Sequence, residues 1–147
     1  MELFQIRVTG ILLRGDAILL VQQSISKNRG WSLPGGRAEA HELLSEALIR
    51  EMREETGLTV KVKKLLYVCD KPDSSPPLLH ITFLLGQAGG EIALPTNEHD
   101  ENPISDVRFV PVADLESYGF TRRFQELVSN GFPDAGNYKG LKCNIGL

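Results

Sequence analysis

A chain of 147 residues, 41% hydrophobic and 24% charged, has the length and composition of one globular domain with its own core, residues 1–147. A net charge of −3 argues against broad electrostatic binding to nucleic acid, and no apolar run approaches the ~20 residues that span a membrane. Cys69 and Cys143 form no CxxC pair, and the start MELFQIRV lacks the basic and apolar segments of a signal peptide; both point to the cytoplasm.

Residues 4–13 read as a strand through Val8, Ile11 and Leu12, and 17–22 as a second, joined by the turn Arg14-Gly15-Asp16. Residues 24–30 form a polar loop whose Lys27 and Arg29 read as solvated charges more readily than as phosphate contacts. Residues 31–33 are short and extended, and Trp31 suits either a core or stacking on a base. Pro34-Gly35-Gly36 is a sharp turn that brings backbone carbonyls close to the segment that follows.

Residues 43–56 are rich in Leu, Glu, Arg, Ala and Met and end at Gly57, which predicts a helix with a left-handed stop. Leu44, Leu48, Ile49 and Met52 fall on one apolar arc, the core side. Glu51, Glu54 and Glu55 are spaced i, i+3, i+4 and share one face. Like charges so placed repel by a few tenths of a kcal/mol per pair in water. A divalent cation relieves that repulsion, and hard carboxylates suit Mg²⁺ or Mn²⁺ rather than zinc. Ala47, one turn before Glu51, is expected on the same face, leaving room for metal and phosphate. Taken alone, EMREE reads as a solvated acidic face; the glycine turn before it and Gly57 after it make it a candidate site.

Residues 59–69 alternate as a strand, with a break near Lys63-Lys64, and the three prolines within 70–77 mark a loop. Residues 78–85 read as a strand bounded by Gly86, Gly89 and Gly90. His80 within it is expected to be hydrogen-bonded in the sheet, with a place facing a ligand cleft as the alternative. Residues 91–103 are polar and acidic, 104–110 a late strand, and 111–115 a turn or helix start. Residues 121–129 form an amphipathic helix through Phe124, Leu127 and Val128, capped by Asn130-Gly131. The glycine-rich tail, 132–147, carries Tyr138, Leu141, Ile145 and Leu147. It leaves open packing along the domain, packing on a partner chain as in a homodimer, or disorder.

Residues 36–58 resemble the signature of the Nudix hydrolases, Gx5Ex7REUxEExGU with U aliphatic. Gly36, Glu42, Arg50, Glu51, Met52, Glu54, Glu55, Gly57 and Leu58 fill every fixed position. The resemblance implies a Nudix-type α/β/α sandwich with a mixed β-sheet. It implies an enzyme that hydrolyses a phosphoanhydride of a nucleoside diphosphate linked to a second group, using Mg²⁺, with Mn²⁺ as substitute. Glu51, Glu54 and Glu55 become the metal ligands, helped by a Gly35 or Gly36 carbonyl, and Arg50 an orienting residue that pairs with Glu42. A surface pair of Arg50 with Glu46 is the plainer alternative. The 97–101 loop is expected to send a carboxylate, Glu98 or Glu101 foremost, to the metal site as ligand or general base. His41 stands where many members carry glycine. A small-molecule nucleotide is the implied partner, with ADP-ribose, a nucleoside triphosphate or another nucleoside diphosphate derivative left open. A non-catalytic nucleotide-sensing domain is the competing reading, and an isoprenoid diphosphate isomerase a weaker one.

Overall fold

The computed structural model describes residues 3–25, 28–95 and 103–147, the side chains at 24, 25, 28 and 29 excepted. The strands are β1 (Gln5–Arg14), β2 (Ala17–Ile25), β3 (Asn28–Ser32), β4 (Gly35–Arg37), β5 (Leu58–Lys71), β6 (Leu78–Gly90), β7 (Ile104–Pro111) and β8 (Asn137–Leu141). Helix α1 (Leu44–Thr56) lies between β4 and β5, and α2 (Arg122–Ser129) between β7 and β8. Short 3₁₀ helices span Val112–Tyr118 and Lys142–Ile145. The sheet runs β3-β2-β1-β6-β5-β8, with β4 added to β1 and β7 to β2. The β1–β6 and β5–β8 pairs are parallel and the others antiparallel, so the sheet is mixed, as expected.

Side-chain alternation along the strands builds two cores. In β2, Leu19 and Val21 join one cluster, while Ile18 and Leu20 join the other. Helix α1 gives Ala47, Leu48 and Met52 to the first; Leu115 and α2's Phe124 and Val128 belong to the second. Helices therefore cover both faces of the sheet, which is the expected sandwich. Gly57 ends α1 at φ 81°, and its N–H donates to the Arg53 carbonyl. Thr121 caps α2, its Oγ1 accepting from the Phe124 N–H at 3.1 Å.

Several boundaries differ from the sequence-based expectation for identifiable reasons. Strand β6 runs on through Gly86, Gly89 and Gly90 because β5 supplies partners there, pairing Val60 with Gln87 and Leu58 with Gly90. The expected break at Lys63-Lys64 is a shift of register between Val62 and Lys64 inside one continuous strand. Most of the polar loop at 24–30 is taken up by the β2–β3 hairpin. Ala47 does not border an open site: it is fully buried in the first core. The tail packs along its own domain, with β8 parallel to β5 and Ile145 buried.

Phe124 is 1% exposed and stacks on Phe120 at 5.3 Å, where α2 meets the sheet. Phe124→Ala is expected to lower the free energy of unfolding in urea by about 3–5 kcal/mol.

Candidate active site

Strand β4 sets Gly35 opposite Thr9 and Gly36 opposite Val8. Neither glycine tolerates a side chain. A Cβ on Gly35 would lie 2.1 Å from the Val8 carbonyl oxygen. A Cβ on Gly36 would lie 2.4 Å from the carboxyl carbon of Glu51 and 2.6 Å from both its oxygens. The missing side chain of Gly36 is thus the space that the Glu51 carboxylate fills. One turn along, Glu55 Oε1 accepts from the Gly35 N–H at 3.2 Å. The helix carboxylates are seated directly on the glycine strand.

Arg50 holds this arrangement from the side. Its Nη2 and Nε donate to the two oxygens of Glu42 at 2.8 and 3.2 Å, a two-pronged pair, and Nη2 also reaches the Arg37 carbonyl at 3.2 Å. Its Nη1 donates to Glu51 Oε1 at 2.9 Å and lies 3.5 Å from Glu54 Oε2. Glu46, the alternative partner, is turned the other way and accepts from the Leu43 N–H at 2.7 Å at the start of α1. Glu42 also accepts from the Glu39 N–H at 2.8 Å, which fixes the loop ahead of the helix. His41 in that loop is exposed and adopts φ 67°, the left-handed conformation natural to glycine.

The electrostatics separate the three helix carboxylates. Hydrogen bonding to Glu42 raises Arg50, and the same contact lowers Glu42. Burial raises Glu51 despite its bond to Arg50. Burial and the neighbouring charge of Glu51 push Glu55 up to about 8. Glu54 is 60% exposed at the rim. Among the described residues, no three acidic, His or Cys side chains converge closely enough to hold a metal as they stand. The donor set still fits a hard divalent cation. Burial raises two half-buried carboxylates, the donors at hand are oxygens, and Glu54 stands at the exposed rim beside them.

Two cavities meet here. One, of about 310 Å³, is lined by Gly36, Glu39, Arg50, Glu51 and Glu54, and also by Pro95 and Ile104. Glu98 and Glu101 lie outside the described residues, as do Lys27 and the Arg29 side chain. Pro95 and Ile104 nevertheless place the two approaches to the 97–101 loop at this cavity. The other cavity, of about 660 Å³, lies beyond a shared wall of Arg7, Gln23, Gly35 and Glu55. Trp31 and His80 line it, together with Phe120 and Lys142. Trp31 is half-buried, edge-on to Tyr118 at 5.1 Å, so neither pure core nor a free platform describes it. Residue-by-residue reading passed over Arg7, Phe120 and Lys142, which come from distant segments with no motif to link them.

The model of the NUDIX domain matches residues 3–129. The chain belongs to this family. It is 41% identical over 90 residues to an ADP-ribose pyrophosphatase of Methanocaldococcus jannaschii, covering 59% of this chain and 53% of that protein. It is 38% identical over 85 residues to the NAD-capped RNA hydrolase NudC of Klebsiella pneumoniae, covering 58% of this chain and 32% of that protein. The Nudix chain thus spans about half of the first relative and a third of the second. In fold it is similar to a NUDIX hydrolase of Nitrosomonas europaea, with a TM-score of 0.73 at 21% identity over 91% of this chain and 77% of that one. No helix among the described residues is long and apolar enough to cross a membrane.

His80 departs from the expected satisfied strand histidine. Its Nε2 lies 3.2 Å from Thr9 Oγ1, but its Nδ1 is buried without a partner among the described residues. Burial, then the positive charges of Lys142 and Arg7, push its pKa down to about 3 from 6.5. Between those values the unfolded chain binds a proton that the folded chain does not. Stability from a neutral His80 is therefore complete above about 6.5 and is lost as pH falls towards 3. Glu55 works in the opposite sense, because its raised pKa lets the folded chain keep the extra proton. Comparing His80→Gln with the parent cancels the Glu55 contribution. The parent's stability relative to the variant should fall between about pH 6.5 and 4.5, by up to about 1.4 kcal/mol per pH unit. Urea unfolding at three pH values measures this, and a flat difference would show that His80 titrates normally.

Proposed function

We propose that the chain is a pyrophosphohydrolase, cleaving a phosphoanhydride in a nucleoside diphosphate linked to a second group. One observation carries this reading: the Glu51 carboxylate fills the space that Gly36 leaves open and is held there by Arg50, itself gripped at two points by Glu42. A domain that only senses a nucleotide has no need of a carboxylate held so closely. Glu51, Glu54 and Glu55, with the Gly36 carbonyl, would hold Mg²⁺, or Mn²⁺ in its place. When bound, the cation supplies neutralising charge to phosphate oxygens and acidifies water.

The chain's own residues do the positioning. Glu42 orients the Arg50 guanidinium, Arg50 fixes one Glu51 oxygen, and the Gly35 N–H fixes one oxygen of Glu55. Glu51 and Glu55 also share a side-chain hydrogen bond, which a bound cation would replace. The substrate panel begins with ADP-ribose, the compound named for the archaeal relative, and extends to nucleoside triphosphates and nucleotide sugars.

Hydrolysis of a panel member should stop on exhaustive chelation and return with Mg²⁺ or Mn²⁺; activity that survives chelation overturns the metal assignment. Gly36→Ala should lower kcat about a hundredfold by displacing Glu51 on the scale of an ångström. Glu54→Gln should keep the fold and also cost orders of magnitude in kcat. An unchanged kcat in both variants would make the acidic face a solvated one.

The general base is proposed to come from the 97–101 loop, whose approaches at Pro95 and Ile104 border the carboxylate cavity. A carboxylate there would face the helix glutamates from across the cavity and take a proton from the attacking water. Of Glu98→Gln, Asp100→Asn and Glu101→Gln, at least one should lose about a hundredfold in kcat under saturating Mg²⁺. If all three stay within a few-fold of the parent, the base lies in the helix.

A further inference from the structure

The larger cavity carries charge that cleavage at the glutamates does not use. Arg7, Lys71 and Lys142 line it, and Glu55, already bonded to the Gly35 N–H, is its one acidic side chain among the described residues. Lys71 is paired with Asp73 at 3.4 Å. The Arg7 and Lys142 side chains make no hydrogen bond or ion pair among the described residues, and the charge of Arg7 acts only at longer range on Glu51 and Glu55. Lys142 is half-buried, and burial with the neighbouring charges of Arg7 and Lys71 pushes its pKa down. Cations drawn together out of water are unfavourable unless an anion joins them.

His80 adds an independent sign of a ligand. It stands beside Arg7 across the β1–β6 pair, is 2% exposed, and its Nδ1 has no partner among the described residues. A buried polar nitrogen of this kind is unfavourable if left unpaired. An oxyanion would select the tautomer in which Thr9 donates to Nε2 and Nδ1 carries the hydrogen.

We propose that this cavity is a subsite for a phosphate group that the substrate carries in addition to the phosphoanhydride that is cleaved, held by Arg7, Lys142 and His80. The assignment rests on reading the smaller cavity as the hydrolytic site. A phosphate fits better than a carboxylate because it brings nearly two negative charges and three acceptor oxygens to two cations and one N–H. It is a second group because the scissile pair belongs beside the glutamates, on the far side of the Gly35–Glu55 wall. Trp31, Leu33, Leu78 and Phe120 line the same cavity and offer apolar and aromatic surface to the organic part that joins the two phosphate positions. The substrate class is a nucleoside diphosphate derivative with a further phosphomonoester.

The test is ligand binding read by quenching of Trp31, the chain's single tryptophan, in EDTA so that no turnover intervenes. The probes are two matched pairs that differ by one phosphate: ADP-ribose with its 2′-phosphate, and dephospho-coenzyme A with coenzyme A. In the parent, the phosphorylated member of one pair should bind at least about tenfold more tightly, the scale of a charge-assisted contact. Lys142→Gln should bring that pair within threefold, and Lys142→Arg should restore the preference. Both pairs binding within threefold in the parent would overturn the proposal, as would a preference that survives Lys142→Gln. Because binding is read without hydrolysis, the two readings fail separately. A chain that shows the preference but cleaves nothing with Mg²⁺ loses the hydrolytic reading and keeps the subsite.

Discussion

Seating the Glu51 carboxylate against the bare backbone of Gly36 is the constraint on which the rest of the site depends. A single methyl group there would lie 2.4 Å from the carboxyl carbon, so the helix can approach the strand this closely only at glycine. That approach makes burial the largest influence on both Glu51 and Glu55. Burial without compensating charge is unfavourable for a carboxylate, and Arg50 offsets part of the cost for Glu51. The remaining imbalance is what a bound cation would offset. Stability and chemistry pull in opposite directions at this place, as is common where function is housed.

Strand β1 links this constraint to the second cavity. On one side it pairs with β4, setting Thr9 against Gly35; on the other it pairs with β6, setting Arg7 against His80. Strand β1 therefore brings Arg7 to the wall between an acidic chamber and a basic one, beside Gln23 of β2, Gly35 of β4 and Glu55 of α1. A ligand that bridged the two would meet a field that changes sign along its length. Such a gradient fixes orientation more firmly than either chamber alone, because the reversed pose places like charges together.

Much of this was legible in the sequence, though unevenly. The nine fixed positions from Gly36 to Leu58 were readable because they are close in the chain and their chemistry is local: a turn, a helix period and a stop. The pairing of Arg50 was readable only as a choice. Glu46 and Glu42 are both near, and the structure decides it by turning Glu46 back to the start of α1. Ala47 was misplaced because a helix face is not divided sharply at one residue, and the sheet takes this position into the core. Glycines at 86, 89 and 90 were read as a boundary because local propensity disfavours strand there, while pairing with β5 overrides it. The larger cavity was out of reach for a different reason. Its residues come from β1 to β6, α1, the turn before α2, and the tail, and no period or spacing ties them together.

The tail makes that last point concrete. The family match ends at residue 129, yet Lys142, Cys143, Gly146 and Leu147 line the larger cavity. They are held there by β8 against β5, and by the Thr121 hydroxyl, which donates to the Gly146 carbonyl at 2.7 Å. A Cβ on Gly146 would lie 2.5 Å from the Phe124 nitrogen, so the tail fits closely on the start of α2. The acidic chamber is thus built from the shared part of the chain and the basic chamber is completed outside it. A residue that selects the ligand of the basic chamber need not lie in the part of the chain that the family model covers.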